Sequence, residues 1–241
     1  VANLIKTKPK FPLSKRYIIL LGISIGMKCL YSHKIIHRDL KPDNVLLDKN
    51  YHPHICDFGI SKIADESVSK IVMESFLGTP LYMAPEILSG ENYSYKADVF
   101  SFSILAYELI TNKVPYTGIK SIHLFFNDVI NGKRPDLSIV KEPKVRNFLN
   151  KCWSNDPELR PNFDQIVEEI KGYFFMNFMN ADKKEVNDYL YFFREKLPPL
   201  KKNIQKADPK LPAESKAVQN KKQKNAIAWQ YKIYSNERIG R

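Results

Sequence analysis

Apolar residues recur with a helical spacing near the start of the chain. In residues 14–33 (SKRYIILLGISIGMKCLYSH), Leu20, Ile23, Met27 and Leu30 share one face. Ile18, Leu21 and Ile25 fill other faces, so this helix is expected to be buried nearly all round, with Ser14 as its N-cap. The next stretch, IIHRDLKPDN, is polar and proline-broken and predicts an irregular loop. VLL at 45–47 and HIC at 54–56, separated by DKNYHP, predict a small antiparallel hairpin. Residues 57–86 show no clear period, and an irregular stretch that long within a compact domain usually has a function or is disordered.

The second half returns to helical spacing. Residues 96–111 (KADVFSFSILAYELIT) are apolar on most faces, which predicts a central core helix. Weaker patterns predict helices at 121–131, 144–152 and 163–176. In the last of these, Phe163, Ile166, Val167, Ile170 and Phe174 form the stripe and Asn162 is the expected N-cap. Val186, Tyr189, Leu190, Phe193 and Leu197 predict an amphipathic helix at 183–197 that packs on the body. From Pro198 the pattern dissolves. The fold class expected is mainly α with a small β-hairpin, α+β overall.

Composition changes this picture in one place. The chain has 241 residues, 44% hydrophobic and 27% charged, which excludes a wholly disordered or collagen-like chain. Its net charge is +12, but residues 201–241 hold eleven Lys/Arg against three Asp/Glu. The basicity therefore belongs mostly to a tail, expected to be solvated and able to contact anionic partners. No specific nucleic-acid partner is expected. No apolar run approaches the ~20 residues that cross a bilayer, and no stretch reads as a signal peptide. Cys29, Cys56 and Cys152 fit no zinc spacing and suggest a reducing compartment, with a cytoplasmic location expected.

The candidate chemistry lies in HRDLKPDN at 37–44 and DFG at 57–59. Asp39, Lys41 and Asn44 put a carboxylate, an ammonium and a neutral oxygen ligand on one short loop. Such a set suits a hydroxyl that must be oriented while a phosphoryl group arrives. Asp57 adds a second carboxylate at the end of the second strand. With Asn44 it offers the hard oxygens that Mg²⁺ takes beside phosphate.

HRDLKPDN, DFG, GTPLYMAPE (78–86), ADVFSF (97–102) and CWSNDPELRP (152–161) occur in the order of eukaryotic protein kinases, which residues 1–175 resemble. The pattern around Asp98 and Cys152-Trp153 is most similar to the tyrosine-kinase-like group, and HRDLKPDN with GTPLYMAPE to the serine/threonine type. The resemblance implies ATP and Mg²⁺ as cofactors and protein Ser/Thr hydroxyls as substrates. It implies that Asp39 orients or deprotonates the hydroxyl and that Lys41 neutralises the moving phosphoryl group. Asn44 and Asp57 would bind Mg²⁺, and Leu46 would floor the adenine. Thr79 would tie the substrate loop to Asp39 and Lys41, and Glu86 and Arg160 would brace the lobe as an ion pair. His37, Phe58 and Asp98 would anchor the core behind the site. Cys56 is expected to be a small buried filler. His33, His52, His54 and His123 are expected to be surface or loop residues. Ser67, Ser69 and Ser75 are candidates for a regulatory phosphate gripped by Arg38.

The departures are equally specific. No G-x-G-x-x-G and no V-A-I-K-like strand occurs, and Ser103 stands where many relatives have glycine. The expectation is a kinase C-terminal lobe whose N-terminal lobe is missing, a fragment beginning at Val1. A helical extension at 176–200 and a basic linker or disordered tail at 201–241 complete the expected domains. A half-kinase that binds or scaffolds without phosphotransfer is the alternative, as is a second chain that supplies the missing lobe.

Overall fold

The computed structural model describes residues 1, 2, 4, 11–57, 62–63, 80–91 and 94–196. Phe58, Gly59, Ser67, Ser69, Ser75, Thr79 and the basic tail lie outside the described residues. Val1–Val186 form one compact unit and Asn187–Arg241 a second.

Helix α1, Leu13–Ser32, has Tyr17, Ile19, Leu20, Leu21 and Ile23 fully buried, as its all-round apolar pattern requires. Its N-cap is Pro12, not Ser14, two residues earlier than expected. The Pro12 carbonyl accepts the first helical bond, from Arg16 N at 3.1 Å, and this puts Ser14 inside the first turn. After α1 come β1 (Ile35–Ile36), β2 (Val45–Leu47), β3 (Pro53–Ile55) and β4 (Lys62–Ile63). β2 and β3 pair antiparallel as the expected hairpin, Val45 opposite Ile55 and Leu47 opposite Pro53. β1 pairs antiparallel with β4, a ladder too short to leave a periodic signal. Gly26 lets β3 close on α1, because a Cβ there would stand 2.8 Å from Ile55 Cδ1.

Helix α2 (Pro85–Leu88) precedes α3 (Tyr95–Thr111), whose N-cap Ser94 accepts from Lys96 N. Along α3, Val99, Phe100, Phe102, Ile104 and Leu105 are fully buried, which makes it the centre of the unit. Burying each such side chain contributes about 1.5–3 kcal/mol. Ser103 is buried too, and its hydroxyl donates to Phe100 O at 2.6 Å, so the serine is satisfied within its own helix.

Helices α4 (Ile122–Ile130), α5 (Pro143–Cys152) and α6 (Phe163–Lys171) follow. Asn162 caps α6 in a reciprocal box with Gln165. The expected single helix at 163–176 is two helices, since Gly172 takes φ −60°, ψ 147° and α7 (Tyr173–Phe178) restarts beyond it. The break puts Phe175 rather than Phe174 into the core, where it meets Phe148 with ring centroids 5.0 Å apart. α1 packs on α6 and α3; Tyr17 Oη donates to Ile170 O at 3.1 Å, and Phe102 meets Phe163 edge-on. Helix α8, Lys183–Lys196, begins in the first unit, where Glu185 pairs with Lys15. Its continuation in the second unit sets Tyr189 against Phe193. Among the described residues no helix is long and apolar enough to cross a membrane.

Candidate active site

The loop between β1 and β2 is built around a carboxylate from α3. Asp98, in the first turn of that helix and 1% exposed, accepts from the backbone N–H groups of His37 at 2.8 Å and Arg38 at 2.9 Å. Arg38 has φ 73°, a region that side-chain-bearing residues seldom use and that costs roughly 1 kcal/mol or more. Two charge-assisted hydrogen bonds to one core residue hold it there.

His37 is fully buried and joins two segments. Its Nδ1 accepts from Asp39 N at 3.2 Å, which leaves Nε2 to donate to Cys56 O at 3.1 Å. The loop between β1 and β2 is thereby tied to the exit of β3. A second tie runs from Cys56 N to Asn44 O at 2.9 Å, so Asp57, the next residue, is set beside Asn44. Asp57 itself has φ 63°, a sharp turn at the end of the hairpin.

A 3-10 turn, Pro42–Asn44, aims the polar side chains inward. Lys41 Nζ donates to Asp39 Oδ2 at 2.6 Å. Asn44 Nδ2 donates to the same Oδ2 at 2.8 Å and to Asp39 O at 2.7 Å. Two of the sequence-predicted residues, Lys41 and Asn44, thus converge on one carboxylate oxygen of a third, Asp39. Both Asn44 amide hydrogens are committed to Asp39, which turns its Oδ1 to the role of acceptor. The Asp39 and Lys41 side chains remain 28% and 24% exposed, open to a substrate.

The oxygen donors Asn44 Oδ1 and Asp57 suit a hard dication. Among the described residues no three His, Cys, Asp or Glu side chains group as a metal site. Leu46 lies in β2, directly after the Pro42–Asn44 turn and Val45, and is 53% exposed, an apolar side chain left uncovered. The Cys56 thiol is half-buried, and burial pushes its pKa up, which fits a filler rather than a nucleophile. His52 and His54 are not plain surface groups: both approach the Asp48 carboxylate in the hairpin turn, and burial holds the His52 pKa down.

Glu86 and Arg160 form the expected pair, two-pronged at 2.6 and 2.8 Å, with Arg160 1% exposed. Arg160 also donates to the carbonyls of Ser154, Lys96 and Asn155, so its three remaining N–H groups are served. The sequence reading missed a second brace. Tyr82 Oη donates to Glu108 Oε2 at 2.9 Å while Ser101 Oγ donates to Tyr82 O at 2.7 Å. Both ends of Tyr82 are pinned to α3, and burial together with Glu108 drives the phenol pKa well above its ordinary value. The available signal was that Ser101 and Glu108 are among the few polar residues of a largely apolar helix.

A helical core, a two-stranded hairpin and a carboxylate loop braced by the core helix are consistent with a protein-kinase-like fold. Residues 1–170 match the Protein kinase domain, and the chain belongs to that family. It is 38% identical over 165 residues to serine/threonine-protein kinase STY17 of Arabidopsis thaliana, covering 68% of this chain and 28% of that protein. It is 37% identical over 164 residues to the dual specificity protein kinase shkD of Dictyostelium discoideum, covering 67% of this chain and 22% of that protein. A third relative, the RGS domain-containing serine/threonine-protein kinase A of the same organism, is 38% identical over 161 residues, 67% of this chain and 14% of its own length. The chain spans less than a third of the length of these relatives.

Proposed function

We propose that this chain carries the catalytic-loop half of a protein serine/threonine kinase of the tyrosine-kinase-like group. The observation that supports this best is the convergence of Lys41 and Asn44 on Asp39 Oδ2. Two donors on one oxygen orient the carboxylate and leave its other oxygen to face a hydroxyl. Asp39 then takes the hydroxyl proton as the substrate oxygen bonds to the γ-phosphorus and the bond to the β,γ-bridging oxygen breaks, releasing ADP. Lys41 lies close enough to Asp39 to leave it for a phosphoryl oxygen as negative charge moves. Asn44 and Asp57 hold Mg²⁺ and Leu46 supports the adenine of ATP; the bound ion would neutralise phosphate charge.

Residues 1–175 are the catalytic lobe in this reading, 176–200 a helical extension and 201–241 a basic tail that contacts anionic partners. Free cysteines accord with a cytoplasmic setting. The test is transfer of label from γ-labelled ATP to peptides carrying only Ser and Thr, or only Tyr, as acceptors. Labelling confined to Ser and Thr supports the reading; labelling of Tyr alone defeats it.

A second reading rests on a specific feature. Residues 1–241 contain no G-x-G-x-x-G and no V-A-I-K-like sequence. Unless chain upstream of Val1 or a separate polypeptide supplies them, the lobe acts as a binding or scaffolding module. Sequencing of the coding region upstream of Val1 separates the two.

A further inference from the structure

The turn that joins β2 to β3 is built on one carboxylate. Asp48 Oδ1 accepts from the N–H groups of Asn50 at 2.8 Å and His52 at 2.9 Å, which closes the turn. Asp48 Oδ2 faces two imidazoles, with His52 Nδ1 at 3.4 Å and His54 Nε2 at 3.8 Å. The two histidine side chains are only 16% and 20% exposed. Two further charges act on His52 from neighbouring helices: Lys15 of α1 and Glu185 of α8, which pair with each other. Phosphotransfer as proposed uses none of these groups.

A charge on His52 is disfavoured most by burial and further by His54 and Lys15, while Asp48 and Glu185 favour it. The balance holds its pKa below the ordinary histidine value of about 6.5. When the turn opens, that imidazole returns to water and binds a proton more readily. The closed turn therefore loses stability as pH falls through about 6.5. The ladder at this end is weak: the strands are three residues each, and Pro53, opposite Leu47, brings no N–H to it. Within the turn Tyr51 takes φ 65°, a region side-chain-bearing residues seldom use, with its ring centroid 5.0 Å from that of Phe11. The other end of the hairpin is the candidate site, where Cys56 N donates to Asn44 O at 2.9 Å and Asp57 follows.

We propose that Asp48, His52 and His54 form a proton-sensitive latch, in which protonation of His52 opens the turn and loosens the hairpin that sets Asn44 beside Asp57. One carboxylate oxygen does not balance two imidazolium ions beside Lys15, so a proton on His52 is accommodated by opening the turn. The latch is a property of conformation and holds whether or not the chain transfers phosphate. Its readouts are protonation and amide protection, so its failure is distinguishable from failure of the kinase reading.

The experiment follows the 241-residue chain by NMR between about pH 7.5 and about pH 5.5. Imidazole shifts give the titration midpoint of each histidine. Amide protection factors, corrected for the intrinsic pH dependence of exchange, report opening of the turn. The His52 midpoint should lie below about 6.5. The amides of Asp48, Tyr51 and His52 are hydrogen-bonded within the turn. Their protection should fall about threefold or more over this range, and by no more than about tenfold per pH unit, the limit for one proton. His52→Asn keeps a side-chain N–H toward Asp48 but takes up no proton, and it should abolish that fall. His54→Gln and Lys15→Gln each remove a group that opposes the charge, and both should raise the His52 midpoint. A midpoint at or above about 6.5, turn protection that does not fall, or a fall that persists in His52→Asn overturns the proposal. If His52→Asn does not fold, Lys15→Gln decides: a raised midpoint with a smaller loss of protection supports the latch, and an unmoved midpoint overturns it.

Discussion

At the scale of single residues, the site depends on a few hydrogen bonds to buried groups. Asp98→Ala removes the acceptor of two backbone N–H groups in a dry location. The expected loss is roughly 3 kcal/mol, measured by urea denaturation, and Arg38 should relax from its left-handed conformation. The thiols give a second check. Burial raises the pKa of Cys29, Cys56 and Cys152, so the thiolate fraction of each falls at any pH below its raised value. Alkylation at about pH 7.5 should be slow in the native chain and fast in urea; equal rates would show that these cysteines are open. The residues of the catalytic loop were readable because Asp39, Lys41 and Asn44 lie within one short loop, where sequence proximity implies spatial proximity. Tyr82, Ser101 and Glu108 were not, because their contact joins two segments distant in sequence and no spacing records it.

The elements obey the same division. Long helices with a full apolar face, α1 and α3, were placed to within a residue or two, and the reciprocal cap at Asn162 was visible as a residue type in the right position. Helix ends that depend on backbone geometry were not visible: Pro12 replaces Ser14 as a cap, and Gly172 divides what periodicity joins. Asn162→Ala should cost about 1 kcal/mol by loss of the cap. Glu86→Ala is a larger matter. It leaves the Arg160 guanidinium buried without its carboxylate, and such a charge costs about 3–5 kcal/mol. Thermal unfolding of the two variants should separate them clearly; a Glu86→Ala protein as stable as the wild type would remove the pair from the account of the lobe.

At the scale of the whole molecule, a braced loop on a helical lobe carries Asp39, the group we propose receives the hydroxyl proton. The measurement that tests this most directly is the rate of label transfer from γ-labelled ATP to Ser/Thr peptides by the chain expressed with the coding sequence upstream of Val1, compared with its Asp39→Asn variant. Asparagine preserves the shape of the side chain and cannot take the proton, so the rate should fall by about 10²–10⁴ with the melting temperature little changed. Transfer by Asp39→Asn at the wild-type rate would contradict the assignment of Asp39.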